Sequence, residues 1–185
     1  HRRHASTAGL AKFLPSYAGL LMEKEITQLS KVLDETPKKT ITMIFGGSKI
    51  DTKIGIIQHF LDKADYFLIG GGLANTFLFA KGINVGDSLC EKDKVDIAKQ
   101  IIEKLNTKED ALNLPTYAII AKEISDEEQI QEIAVESLPE GMKILDIGSK
   151  TAAHFSEIIK KSGTVIWNGP LCVYEFKPFM NGTKQ

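Results

Sequence analysis

Gly46-Gly47-Ser48-Lys49-Ile50-Asp51-Thr52-Lys53 places two lysines four residues apart, directly after two glycines. The pattern predicts a helix start here, with both ammonium groups on one face, one turn apart. Glycines let a backbone approach a ligand closely, and a helix amino terminus favours an anion. The octet therefore suits a phosphate. The plain alternative is a solvated helix start with two surface lysines. It is not a GxxxxGK[ST] loop. Gly70, Gly71 and Gly72 begin a dinucleotide-like turn, but Asn75 stands where a third glycine would be. Close packing of a helix on a strand accounts for them as well. Gly148-Ser149-Lys150-Thr151 reads as a loop able to face a ligand, or simply as a helix N-cap. TVIWNGPLCVYE, residues 164–175, stops as a strand at Asn168-Gly169-Pro170 and ends on the carboxylate of Glu175. Asn168 and Glu175 also fit ordinary turn and surface positions, and Trp167 is expected in the core. The cationic cluster His1-Arg2-Arg3-His4 suits a phosphate or carboxylate, or is a frayed basic end. No spacing suggests zinc, and His59 and His154, inside predicted helices, are expected to be structural.

These residues need elements to hold them. Apolar spacing predicts helices over 17–33, 50–64, 73–81, 93–105 and 151–161. Pro15-Ser16 supplies a start signal for the first, and Gly82 closes the third. Short apolar runs predict strands over 40–45, 66–69, 114–122, 143–147 and 164–167. Residues 125–133 are polar and acidic and are expected as surface helix or loop. Strands alternating with helices imply βαβ units and a mostly parallel sheet covered on both faces, an α/β three-layer Rossmann-like domain. Ligands in such sheets bind at the carboxyl ends of strands. Gly46-Gly47, Gly70 to Gly72, Gly148 and Asn168-Gly169-Pro170 all fall there, so the four loops are expected to face one site.

Bulk properties narrow the function classes. The chain has 185 residues and a formal net charge of -1. That balance argues against a protein devoted to nucleic acid, without excluding a local basic site for a phosphorylated small molecule. Cys90 and Cys172 form no CxxC motif and no disulfide framework, which favours a reducing compartment, the cytoplasm. No apolar run approaches a membrane span and no signal peptide is visible. A start at His1 without Met and a stop at Gln185 suggest a piece of a longer protein, with the sheet incomplete at both ends and the isolated chain marginally folded.

Taken in order, HRxHAS, AGxLMxKE, GGSKxxxK, IGGGxANTF, LDIG and WNGPxxVxE resemble the phosphoglycerate kinase family from Arg2 to Thr183. The resemblance implies three parts. Residues 1–16 would be the end of an amino-terminal substrate domain, 17–33 an interdomain helix, and 34–185 most of a nucleotide-binding domain. It implies reversible transfer of the γ-phosphoryl of MgATP to the carboxylate of 3-phosphoglycerate, run in glycolysis from 1,3-bisphosphoglycerate to ADP. By the same resemblance, Lys53 contacts nucleotide phosphates and the transferring group, with Lys49 beside it. Gly71, Gly72 and Gly148 border the adenine, Asn168 and Pro170 lie near phosphates and ribose, and Glu175 accepts from the ribose hydroxyls. Arg2 meets the acyl phosphate and His4 belongs to the basic substrate patch. Mg2+ arrives with the nucleotide, no residue here is a metal ligand, and the whole protein is expected to be a monomer. Cys172, Ser149 and Tyr117 depart from the family pattern at a glycine, a proline and the usually acidic LPxD strand, and Arg3 adds a charge. Two other readings remain: a nucleotide-binding or regulatory module without catalysis, and, on the glycine triplet alone, a nicotinamide dehydrogenase.

Overall fold

The run Ile41–Phe45, ITMIF, is buried along its whole length. A β-branched strand hidden on both faces is what a central parallel strand requires. In the computed structural model, which describes residues 4–34 and 40–184, it is β1. β1 pairs in parallel with β2 (Tyr66–Ile69) on one side and β7 (Thr164–Asn168) on the other. β3 (Leu112–Asn113) extends the sheet beyond β2, giving the order β3-β2-β1-β7. Phe45 is in register with both Ile69 and Asn168, so the three glycine-bearing loops leave the sheet side by side. Ile44 and Leu68 pack against Ala152, Phe155 and Ile158 of helix α5 (Ser149–Lys161). By alternation the other face receives Met43, Phe45 and Phe67, and the Phe45 and Phe67 rings stack with centroids 6.4 Å apart.

The remaining strands form a separate antiparallel sheet, in the order β5-β4-β6. β4 is Tyr117–Ala121, β5 Gln131–Ala134 and β6 Lys143–Ile147. The fold is α/β, with the parallel sheet flanked by helices, but the strands do not join into one sheet. Pro115 explains the division. It lacks the N–H a ladder needs, so the strand expected over 114–122 starts only at Tyr117, and a short strand outside that range precedes it. Leu112–Asn113 stays on the parallel sheet, and the chain resumes as β4 on the other. The expectation of surface helix or loop over 125–133 fails at its end, where Gln131–Ala134 is an edge strand. Gln131 and Glu132 are exposed and Ile133 packs against the cluster that includes Ala118 and Ile120 of β4, as an antiparallel edge strand allows.

Helix α2 (Ile54–Phe60) is shorter than the 50–64 expected. Ile50 and Ala64 are buried, but in the turns flanking it. Helix α3 (Gly71–Ala80) starts two residues early, and α4 (Val95–Leu105) buries Ala98, Ile101, Ile102 and Leu105 as predicted. α5 also starts two residues early, because Glu132 of β5 accepts from the Ser149 N–H and hydroxyl, both at 2.7 Å. A four-residue helix, α6 (Asn181–Lys184), follows β7.

The chain divides into two compact units, residues 1–38 and 39–185. In the first, helix α1 (Leu20–Asp34) begins at Leu20 rather than 17. The Glu23 N–H closes the first turn on the Gly19 carbonyl at 2.9 Å. Leu20, Leu21, Met22 and Ile26 on it are exposed. All of the site geometry below lies in the second unit.

Candidate functional site

The loops leaving β1, β2 and β7 are tied to one another by backbone groups. Gly47 N–H donates to Pro170 C=O at 2.7 Å, and Leu73 N–H to Gly47 C=O at 2.9 Å. Gly71 N–H donates to Leu171 C=O at 2.8 Å. This closeness explains two glycines. A Cβ on Gly46 would overlap the Pro170 carbonyl. Gly71 has φ of +63°, and a Cβ there would come within 3.0 Å of the Gly47 and Pro170 backbone, so a side chain would be both strained and crowded.

Lys53 stands at the N-cap of α2, and its ammonium donates to Oδ1 of Asn168, the last residue of β7. Lys49 lies exposed in the preceding turn, where its carbonyl accepts the Thr52 hydroxyl at 3.0 Å. The expected shared helical face is therefore a correction: the helix begins after both lysines. The cause is Ile50, which is fully buried (0 % exposed) and whose carbonyl accepts from Lys53 and Ile54 at 2.8 and 2.9 Å. That folds residues 50–53 as a turn anchored in the core.

Between the braided loops and β6 lies a cavity of about 540 Å³. Gly71, Gly72, Pro170 and Glu175 line it, together with Gly47 and Asn75. Lys53 and Asn168 flank it at Gly47, where a Cβ would come within 3.9 Å of Lys53 Cε. Gly148 does not line the cavity; it lies behind it, its N–H on the Tyr117 carbonyl at 2.7 Å. A Cβ there would press on Tyr117 and Glu132. Three of the four glycine loops thus meet at one edge, and the fourth packs β6 and α5. Arg2 lies outside the described residues. His4 is exposed in the first unit, where its carbonyl accepts from Thr7, Ala8 and Gly9 at 3.1, 3.0 and 3.2 Å. Trp167 corrects the expectation of a core residue. It is 46 % exposed on the edge strand β7, with its indole N–H on the Gly169 carbonyl at 2.7 Å.

Several residues of the site carried no warning in the linear pattern. Asn75, only 1 % exposed, donates to the Leu89 carbonyl at 3.1 Å. Its Oδ1 is the buried side-chain oxygen without a partner among the described residues, and Asn75 lines the cavity. Asp146, 2 % exposed on β6, accepts from Gly182 N–H at 2.9 Å and Ile147 N–H at 2.7 Å. Burial nevertheless pushes its carboxyl up to about 6, against the opposing pull of those amides and the Cys172 thiol. Its one sequence signal is a charge inside the apolar run KILDI. The Cys172 thiol is pushed up to about 11, chiefly by burial, and its Sγ is 2.9 Å from Thr183 Oγ1. Cys172 is buried, and it lines the cavity. Among the described residues no group of three His, Cys, Asp or Glu is placed to hold a metal. His154 Nε2 meets Asn113 Oδ1 at 2.8 Å and His59 Nε2 meets Lys63 Nζ at 3.1 Å.

A parallel α/β sheet whose carboxyl edge carries glycine loops, a helix-start lysine and a cavity belongs to the class of α/β domains whose ligands bind at the carboxyl ends of the strands. Comparison with known proteins makes the assignment particular. The sequence model described as "Phosphoglycerate kinase" matches residues 1–185. The phosphoglycerate kinases of Chloroflexus aurantiacus and Roseiflexus sp. (strain RS-1) are each 47 % identical over 184 residues, 100 % of this chain and 46 % of theirs. The solved phosphoglycerate kinase of Coxiella burnetii superposes with a TM-score of 0.88 at 39 % identity, over 100 % of this chain and 47 % of that one. That of Pyrococcus horikoshii OT3 gives 0.81 at 28 %, with the same coverage. The chain belongs to the phosphoglycerate kinase family. It spans about half the length of the curated relatives it matches.

Proposed function

We propose that this chain supplies the nucleotide-binding half of a phosphoglycerate kinase. The whole enzyme would transfer a phosphoryl group reversibly between MgATP and the carboxylate of 3-phosphoglycerate. The observation that carries this is the Lys53–Asn168 contact beside Gly47, a residue of the cavity that Gly71, Gly72, Pro170 and Glu175 also line. Family membership supports the reaction.

In this reading Lys53 neutralises charge on the equatorial oxygens of the transferring group, the main catalytic resource in phosphoryl transfer. Asn168 holds the ammonium until phosphate replaces it. Lys49, exposed in the same turn, adds positive charge nearby. The bare backbone of Gly71 and Gly72 lets a flat base lie close, and the unpartnered Asn75 Oδ1 fits a ligand rich in N–H donors. Glu175 accepts from ribose hydroxyls, with Pro170 shaping that wall. Gly148 acts from behind, by seating α5. Mg2+ travels on the nucleotide phosphates, which supply hard oxygen ligands. The acceptor carboxylate needs no general base. Arg2 and His4 are assigned to the acid substrate by the family resemblance alone, as are residues 1–16 to a substrate domain and 17–33 to an interdomain helix. A monomer in the cytoplasm acting on small molecules, not nucleic acid or membranes, completes the proposal. No helix among the described residues is long and apolar enough to cross a membrane.

The test is steady-state kinetics on this chain joined to the rest of the length its relatives have. Lys53→Ala is expected to lower kcat by about 100-fold, with a smaller change in KM for MgATP. Equal losses in both would remove Lys53 from the transition state. No phosphoryl transfer by the unaltered protein would refute the proposed function.

A further inference from the structure

Lys53 can serve a transferring phosphoryl only if its turn is held still, and the turn has one conspicuous tether. The Ile50 N–H, which opens it, is taken by the carboxylate of Glu91, 41 positions away. The Ile50 carbonyl carries the Lys53 and Ile54 amides, so a shift at Ile50 moves the N-cap lysine directly. Glu91 is itself fixed: its N–H donates to Thr76 Oγ1 at 3.1 Å, and Thr76 is fully buried in α3. The first residue of α3, Gly71, holds the Leu171 carbonyl of the loop that follows Asn168. Lys53 and Asn168 are therefore both referenced to one helix, the first through Ile50, Glu91 and Thr76, the second through Leu171 and Gly71. A second tie, Lys94 Nζ to Asp51 Oδ1 at 3.2 Å, spans the same gap but is partly exposed and correspondingly weak.

We infer that Glu91 is a positioning residue for phosphoryl transfer, anchoring the Ile50 amide so that Lys53 is presented to Asn168 and to the phosphates. This rests on the proposed function. The Glu91 carboxylate need not touch a ligand. It must only accept one N–H at a fixed place, because a displacement of about 1 Å at a reacting group can cost about 100-fold in rate.

The experiment is a mutant cycle in the whole kinase, this chain joined to the rest of its relatives' length, reading kcat, KM and Tm. Glu91→Ala is expected to lower kcat by about 10- to 100-fold, with KM for 3-phosphoglycerate unchanged within about two-fold. Glu91→Gln keeps a carbonyl acceptor and is expected to hold kcat within about three-fold of the unaltered protein. In a Lys53→Ala background, adding Glu91→Ala should cost less than about two-fold more, because residues acting through one another are not additive. A merely structural Glu91 would give its full loss in both backgrounds, and that result overturns the inference. So does Glu91→Ala with an unaltered kcat. Should Glu91→Ala fail to fold, Glu91→Asp decides, because its carboxylate is one methylene short of the Ile50 N–H. A kcat lowered by about 10-fold or more at an unchanged Tm upholds the inference, and an unaltered kcat overturns it. An unaltered protein without phosphoryl transfer overturns the proposed function and this inference together. An active one indifferent to Glu91 overturns the inference alone.

Discussion

The two walls of the cavity are built on different terms. On the parallel sheet the loops are tied by main-chain groups: Gly47 to Pro170, Leu73 to Gly47, and Gly71 to Leu171. On the antiparallel sheet main-chain ties such as Gly148 N–H to the Tyr117 carbonyl are joined by ties that run through side chains. Asp146 holds the Gly182 amide of α6. Thr151 Oγ1 accepts from Thr116 and Tyr117 at 3.1 and 2.9 Å and donates to the Tyr117 carbonyl at 2.7 Å. Glu132 caps α5. A main-chain tie depends on glycine geometry and is indifferent to pH. A side-chain tie can be deleted by one substitution, and where it ionises it brings pH dependence. The first wall should therefore be the more brittle to added atoms, and the second the more responsive to solution conditions.

Gly46→Ala tests the brittle wall and carries the largest expected effect. Its new methyl would overlap the Pro170 carbonyl, a main-chain atom with no rotamer to change. Overpacking of this kind costs about 3 kcal/mol or more. Denaturant unfolding should show that loss, and calorimetric titration with MgADP should show binding weakened. A useful control is Gly55→Ala in α2, where a Cβ meets nothing within 4 Å. There the change should be neutral or stabilise by up to about 1 kcal/mol, from helix propensity. Equal behaviour at the two glycines would dissolve the contrast.

Asp146 tests the responsive wall. Its carboxyl sits at about 6 when folded, above the ordinary unfolded value of about 3.9. Between those values the folded state binds more protons than the unfolded state. Stability therefore falls as pH rises from about 4 to about 6, by up to about 3 kcal/mol from this group, and is flat in this respect above that. Asp146→Asn should remove most of that slope. At neutral pH its net effect is smaller, because the relieved charge is offset by one amide facing an NH2 group instead of an oxygen, at about 1–3 kcal/mol. Unfolding free energies at pH 4, 5, 6 and 7 for both proteins make the check. An undiminished slope in the Asn variant would place the titration elsewhere. Cys172, pushed up to about 11, does not titrate in this window.

The same division governs what was legible in the sequence. β1 and β2 were readable because buried parallel strands are unbroken apolar runs, and the glycines at their ends mark where main chain meets main chain. That local grammar also located Lys53, Asn168, Pro170 and Glu175 as candidates. β5 was unreadable, since Gln131 and Glu132 are poor strand formers that pair only because Ile133 reaches the core behind β4. Pro115 sat inside a predicted strand, and its missing donor was the available clue to the change of sheet. Glu91 and Asn75 could not be found locally. One acts on an amide 41 positions away, and the other matters for a partner that its oxygen lacks. Lys49 falls outside the helix for a related reason: helical spacing runs through Ile50, but Ile50 is held in the core and α2 begins only at Ile54.

Glu132→Ala is the mildest test and separates a positional tie from a dispensable one. Its carboxylate is exposed, yet one oxygen accepts both the amide and the hydroxyl of Ser149. Ser149 stands where the family resemblance has proline, a residue with no amide to cap. The Glu132 cap would then be particular to chains with a donor at this position. Removing a cap of this type costs about 1 kcal/mol, so Glu132→Ala should lower the unfolding free energy by about that much. In a Ser149→Pro background the cap has no donor left, and the same Glu132→Ala change should cost almost nothing. If its cost persisted there, Glu132 would be stabilising β5 or the Gly148 contact instead. The side-chain wall would then have fewer independent ties than its hydrogen bonds suggest.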